Sequence, residues 1–208
     1  MNKKERANFI LETLNTLFPN PEIPLLHTDS YSLLIAVLLS AQCTDLRVNQ
    51  VTPKLLSIAS SPKEMINLSK TQIEDIIRPC GLGKTKASAI WELSKILLEQ
   101  FNETVPQNIE ELEKLPGVGH KTASVVMAQA FNEPAFPIDT HIHRCAKRWK
   151  LSKGTNVKQT EEDLKKVFPK DSWIKLHLQI IYFARKFCPA KAHIIKKCPI
   201  CSVVTSSH

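Results

Sequence analysis

The chain has no apolar run longer than the seven residues from Leu33 to Leu39, far short of the roughly 20 that a membrane-crossing helix requires. No membrane span and no membrane partner are expected. The basic start Met1-Asn2-Lys3-Lys4-Glu5-Arg6 is not followed by the continuous apolar stretch and small-residue cleavage site of a secretory signal, so a cytoplasmic location is expected. Glycine is scarce, with five residues in 208, and no low-complexity linker separates the two halves. Sustained polar–apolar alternation, the mark of a half-buried strand, is scarce as well.

What remains is apolar residues at helical spacing, which reads as an all-α protein. Phe9, Ile10, Leu14 and Leu17 make one stripe ahead of the breaker Pro19-Asn20-Pro21, and the nearly uniform apolar stretch from Tyr31 to Ala41 belongs in a core. Thr44 and Asp45 read as an N-cap for the next helix. The expected architecture is two closely packed helical domains: a six-helix domain over residues 25–135, and a second formed by 1–24 with 136–208 that ends in a cysteine-bearing loop. At 43% hydrophobic and 23% charged residues, the composition is that of a globular protein able to bury a core without staples.

Lysine and arginine number 28 against 20 acidic residues, a formal net charge of +8. That excess favours a partner dense in negative charge, nucleic acid ahead of an anionic membrane. Six cysteines in a chain without a secretory signal argue for thiols or metal ligands more than disulfides. Cys43, Cys80 and Cys145 are scattered, whereas Cys188, Cys198 and Cys201 cluster.

An internal repeat appears when residues 73–88 are laid over 109–124. Ile73, Glu74, Ile76, Gly81, Leu82, Gly83, Ala87 and Ser88 fall on Ile109, Glu110, Leu112, Gly117, Val118, Gly119, Ala123 and Ser124. Each copy reads helix, Gly-apolar-Gly turn, helix, because glycine reaches backbone angles closed to other residues while the apolar residue between packs inward. In the second copy the amides of Gly117, Val118 and Gly119 are expected to face outward at a helix start, where a phosphate binds without regard to sequence. Lys121 sits just inside that second helix. A little further on, Asp139 follows the proline-bounded segment Phe136-Pro137-Ile138 and can N-cap a helix beginning at Thr140; its carboxylate also suits a developing positive charge on a sugar ring.

The motifs Leu38-Leu39-Ser40-Ala41-Gln42, Leu115-Pro116-Gly117-Val118-Gly119 with Lys121, and Ile138-Asp139-Thr140-His141 stand in the order and spacing of a known family. By them the chain resembles the endonuclease III family, within the helix-hairpin-helix, Gly/Pro-rich-loop and aspartate (HhH-GPD) superfamily of DNA glycosylases, over nearly its whole length. The resemblance implies a base-excision repair enzyme with two activities. A lysine at the place of Lys121 attacks the sugar C1′ of a damaged pyrimidine nucleotide, and an aspartate at the place of Asp139 assists departure of the base. The Schiff base that results breaks the strand by beta-elimination, a step open to an amine nucleophile and closed to water. The substrate implied is double-stranded DNA with oxidised pyrimidines or abasic sites, met by a monomer. Gln42 and Leu82 are implied as wedges that fill the gap left by an extruded nucleotide, with Gly117, Val118, Gly119, His120 and His141 as further DNA contacts.

Two departures stand out. His120 occupies a place where the family usually carries arginine, and Gly83 replaces a bulkier residue, so Lys84, Lys86, Arg144, Arg148, Lys191, Lys196 and Lys197 are expected to supply compensating backbone contacts. The family's 4Fe-4S cluster uses four thiolates spaced Cys-x6-Cys-x2-Cys-x5-Cys, whereas this chain offers three, Cys188, Cys198 and Cys201, with Ser207 at the fourth place. An ordinary cluster is therefore not expected intact. A loop that has lost its metal is the first reading, and the alternative is that His193 or His208 completes a four-ligand set for iron-sulfur or zinc.

Three other readings explain less of the sequence. An adenine-mismatch glycosylase lacks lysine at the place of Lys121. A noncatalytic DNA-binding module and a zinc-stabilised scaffold both leave Lys121 and Asp139 without a role.

Overall fold

The computed structural model describes residues 1–205, and these contain helices and connecting segments but no strand. In chain order the α-helices are α1 (Lys3–Leu17), α2 (Ser30–Leu39), α3 (Asp45–Leu56), α4 (Pro62–Met65), α5 (Lys70–Ile77), α6 (Gly83–Phe101), α7 (Ile109–Lys114), α8 (His120–Ala130), α9 (Thr140–Arg148), α10 (Val157–Val167), α11 (Trp173–Lys186) and α12 (Cys201–Val204). No helix is long and apolar enough to cross a membrane among the described residues. The chain divides into two compact units, residues 23–133 and residues 1–22 with 134–208.

The 23–133 unit is built around α2, whose residues from Tyr31 to Leu39 are all buried. A helix apolar on every side has no solvent face and must be surrounded; α3, α6 and α8 pack on it. Its start is fixed by Asp29, which accepts from the Ser32 amide at 2.8 Å while the Ser32 hydroxyl contacts the Asp29 amide at 3.0 Å, a reciprocal cap. Burial raises the Asp29 pKa, yet the Ser32 amide and the Thr28 and Ser32 hydroxyls outweigh it and hold the carboxyl below its ordinary value. Deeper in, the Tyr31 hydroxyl meets the Ser94 hydroxyl at 2.7 Å, so the polar tip of a buried ring is satisfied across to α6. This unit holds seven α-helices rather than six, because Ser61 caps an extra single turn that opens with Pro62.

In the second unit α11 packs on α9 and α1, and α10 packs on both α1 and α9. Of the stripe expected on α1, Ile10 and Leu14 are buried and Phe9 is partly so, whereas Leu17 at the end of the helix is exposed and Ala7 completes the buried face instead. Where α1 ends its last carbonyls need partners, and the buried Gln179 of α11 supplies them: its Nε2 donates to Phe18 O at 2.9 Å and Leu14 O at 3.3 Å. Phe136, Trp149 and Phe183 are fully buried in this core. Phe136 stacks on Trp173 with ring centroids 6.3 Å apart, which anchors the segment leading into Asp139.

Candidate active site

Both Gly-apolar-Gly segments form helical hairpins, but they are not alike. In the second, Gly117 takes φ +76°, and a Cβ there would meet Ala89 Cβ at 2.8 Å and Leu38 Cδ1 at 3.0 Å. Only glycine satisfies both the backbone angle and the close approach to α2. The turn closes through a hydrogen bond from the Val118 amide to Leu115 O at 3.0 Å, and Val118 is buried. The expectation that the Val118 amide faces outward is therefore corrected, because the tight turn consumes it internally.

Gly119, extended at ψ 176°, is the N-cap of α8, and having no side chain it makes no side-chain cap hydrogen bond. A helix start leaves its first amides without intrahelical acceptors and carries partial positive charge. Lys121 lies exposed in this first turn. His120 beside it has Nδ1 at 2.6 Å from Glu113 Oε1, so its ring is engaged with a carboxylate of α7.

In the first hairpin a short 3-10 helix, Arg78–Cys80, intervenes before the turn. Leu82 takes φ +53° and is 55% exposed. The sequence pattern put this residue inward like Val118, and the structure corrects that. The left-handed backbone turns the Leu82 side chain to solvent, at a conformational cost of roughly 1–2 kcal/mol for a residue with a Cβ. Gln42, after α2, is also exposed with φ +55°.

These two strained, outward residues are joined from beneath by one buried cation. Lys86 is 5% exposed, and its Nζ donates to Ala41 O at 2.7 Å, Leu39 O at 2.9 Å and Cys80 O at 3.0 Å. Three carbonyls for three ammonium protons satisfy the group fully, though burial still lowers its pKa. Lys86 is therefore no phosphate contact. Its spacing with Ile90, Leu93 and Leu97, all buried on α6, is the sequence signal that puts it on an inward face. Beside it the Cys80 thiol is pushed up to about 11, first by burial and then by Cys43.

In the other unit, Asp139 is half-buried and caps α9, accepting from the Ile142 amide through Oδ1 at 2.8 Å. His141 Nδ1 accepts from Arg144 Nη2 at 3.1 Å. Arg144 and Arg148, expected on DNA phosphates, turn inward instead. Arg144 Nε and Nη2 donate to Cys188 O at 3.2 and 3.1 Å, and Arg148 Nη1 donates to Pro189 O at 2.7 Å and Cys188 Sγ at 3.2 Å. The carbonyls of the loop after α11 need donors, and α9 provides them. Lys84, Lys191, Lys196 and Lys197 are exposed.

Cys188, Cys198 and Cys201 are buried, and together with His193 they bring four potential ligand atoms within 4.8 Å of one another. This set can hold a metal. The Cys188 thiol is held far below its ordinary range, first by contact with the Cys145 thiol of α9, then by Cys198 and Cys201, with Arg148 adding to the effect. Ser207 and His208 lie outside the described residues.

Comparison with known proteins identifies the family. Residues 35–170 match the family described as HhH-GPD superfamily base excision DNA repair protein. Endonuclease III of Bacillus subtilis is 37% identical over 204 residues, covering 96% of this chain and 91% of that protein. Endonuclease III of Escherichia coli K12 is 42% identical over 191 residues, covering 92% and 90%. A solved structure of a trapped endonuclease III–DNA covalent intermediate superposes with a TM-score of 0.92 at 38% identity, covering 96% of this chain and 94% of that one. A thermostable thymine-DNA glycosylase, at 23% identity and a TM-score of 0.85, shares the fold. Joined to the duplicated hairpin, these likenesses give the assignment: the chain belongs to the HhH-GPD superfamily of base excision DNA repair proteins.

Proposed function

We propose that Lys121 is the nucleophile and Asp139 its charged partner in a bifunctional DNA N-glycosylase and abasic-site lyase that removes oxidised pyrimidines. The observation that carries this reading is the placement of Lys121, an exposed amine in the first turn of α8 directly behind the Gly117-Val118-Gly119 turn. A phosphate held at that helix start brings the adjoining deoxyribose within reach of the amine.

Lys121 Nζ bonds to C1′ as the C1′–N bond to the damaged base breaks, and the base leaves with that electron pair and takes up a proton. The amine loses its protons as the sugar ring opens, giving an imine at C1′. The imine draws electrons from C2′; loss of a C2′ proton then expels the 3′ phosphate and breaks the strand. The Asp139 carboxylate stabilises positive charge developing on the sugar as the base departs. Only Oδ1 is used in capping α9, which leaves Oδ2 for this role. Gln42 and Leu82 serve as wedges, since both project into solvent on strained backbone. Double-stranded DNA is the partner, the net charge of +8 supports its capture, and the enzyme works as a monomer in the cytoplasm beside that DNA.

Borohydride reduction in the presence of duplex DNA with an abasic site tests the assignment. A covalent adduct is expected with the parent protein and none with Lys121→Ala. Undiminished trapping by that variant would sink the nucleophile; trapping without release of oxidised pyrimidines would sink the substrate class alone.

A further inference from the structure

The loop between α11 and α12 carries the pattern Cys188-x4-His193-x4-Cys198-x2-Cys201. A four-thiolate iron-sulfur cluster does not fit it. The group supplies three sulfurs and one imidazole, and their ligand atoms crowd within 4.8 Å, whereas a cubane binds each ligand to a different iron and so spreads the four further apart.

Around one tetrahedral ion the requirement is different. Metal–sulfur bonds near 2.3 Å and metal–nitrogen bonds near 2.1 Å put neighbouring ligand atoms about 3.5–3.8 Å apart. Cys188 Sγ and Cys201 Sγ are 3.9 Å apart. His193 Nε2 is buried and finds no hydrogen-bond partner among the described residues, an uncompensated cost unless it serves as a ligand.

The surroundings suit a bound divalent ion. Three thiolates and a neutral imidazole on such an ion carry one net negative charge, and the Arg148 guanidinium lies 3.2 Å from Cys188 Sγ to balance it. The Cys201 amide points at Cys198 Sγ at 3.5 Å, a hydrogen bond that steadies a thiolate ligand. Cys188, Cys198 and Cys201 are each at most 1% exposed, with Ile200 and Val204 beside them in the same apolar cluster. A redox-inert ion closed off on all four sides is structural in kind. Binding it displaces the protons still held by the thiol ligands, so metal uptake is also proton release.

We propose that Cys188, His193, Cys198 and Cys201 bind a single zinc ion in place of the iron-sulfur cluster expected of the family.

The test is elemental analysis of the full-length protein purified without oxygen from cells supplied with both iron and zinc. The expected result is about one zinc per chain, no acid-labile sulfide and no visible colour. Replacing zinc with cobalt is expected to give the visible bands of a tetrahedral site and thiolate charge-transfer in the near ultraviolet. His193→Ala, its folding verified by circular dichroism, is expected to weaken cobalt binding by more than the ~100-fold that loss of an outer partner costs, while Cys145→Ala, which removes only an outer contact of Cys188, is expected to stay within that limit. About four irons with matching sulfide per chain would overturn the proposal, as would an absence of bound metal. Retention of the ion by His193→Ala combined with its loss in Cys145→Ala would overturn His193 as the fourth ligand.

Discussion

Lys86 Nζ lies 2.7 Å from the carbonyl oxygen of Ala41, the residue before Gln42, and the same ammonium reaches the carbonyl of Cys80, two residues before Leu82. The backbone that presents each proposed wedge is thus held by one side chain. Lys86→Met keeps the length and removes the charge, leaving carbonyls of Leu39, Ala41 and Cys80 without their donor. The expected loss is about 2–4 kcal/mol of stability, read from urea unfolding midpoints. A change below 0.5 kcal/mol, on the scale of ordinary surface substitutions, would show that water replaces the ammonium.

Gly117 and Gly119 are expected to respond differently to alanine. Gly117→Ala places a Cβ 2.8 Å from Ala89 Cβ on a backbone at φ +76°, and a loss of at least ~2 kcal/mol is expected from the left-handed angle and the overlap together. Gly119 has extended backbone and open space where a Cβ would go, so Gly119→Ala is expected to cost less than about 1 kcal/mol. Thermal unfolding of the pair measures the contrast, and equal losses would contradict it.

Asp139 does two jobs that a graded pair of substitutions separates. Asparagine caps helices as well as aspartate does, so Asp139→Asn is expected to retain the fold while base release slows on the order of 100-fold from loss of the negative charge. Cleavage at a pre-formed abasic site, which needs no base departure, is expected to fall less. Asp139→Ala removes the cap as well and is expected to lose about 1 kcal/mol more stability than Asp139→Asn. Equal damage to base release and abasic cleavage by Asp139→Asn would remove Asp139 from the base-leaving step.

Acid is expected to weaken the start of α2. The Asp29 carboxyl titrates below its ordinary value in the folded protein, so the folded state binds its proton less readily than the unfolded chain does. Its contribution is complete above the unfolded value of about 3.9 and is lost as pH falls through the lower folded value. Melting temperatures of parent and Asp29→Asn should therefore converge as pH drops from about 5 to 3. A gap that widens over that range would reverse the sign.

The elements most legible in the sequence were those whose signal is local. Apolar residues on every side of α2 demanded burial, Thr44 and Asp139 announced their helices as caps, and paired glycines marked both hairpins. What sequence periodicity left hidden depends on partners distant along the chain. Leu82 and Val118 occupy equivalent places in the repeat, yet one faces solvent and the other the core, because backbone angles at the first hairpin differ. Arg144 and Arg148 read as generic cations until the carbonyls after α11 are seen to lie against α9, 40 and more residues away. His193 could be named as one ligand candidate from spacing, but only the meeting of its ring with three sulfurs distinguishes it from a solvated loop histidine.

The bare start of α8 also bears on how this protein tolerates change over generations. The anion contact proposed for this helix start would be made by main-chain amides, so no single codon change to a side chain could delete it while the turn still forms. The burden falls instead on Gly117, where the crowding of Ala89 and Leu38 leaves inheritance almost no latitude.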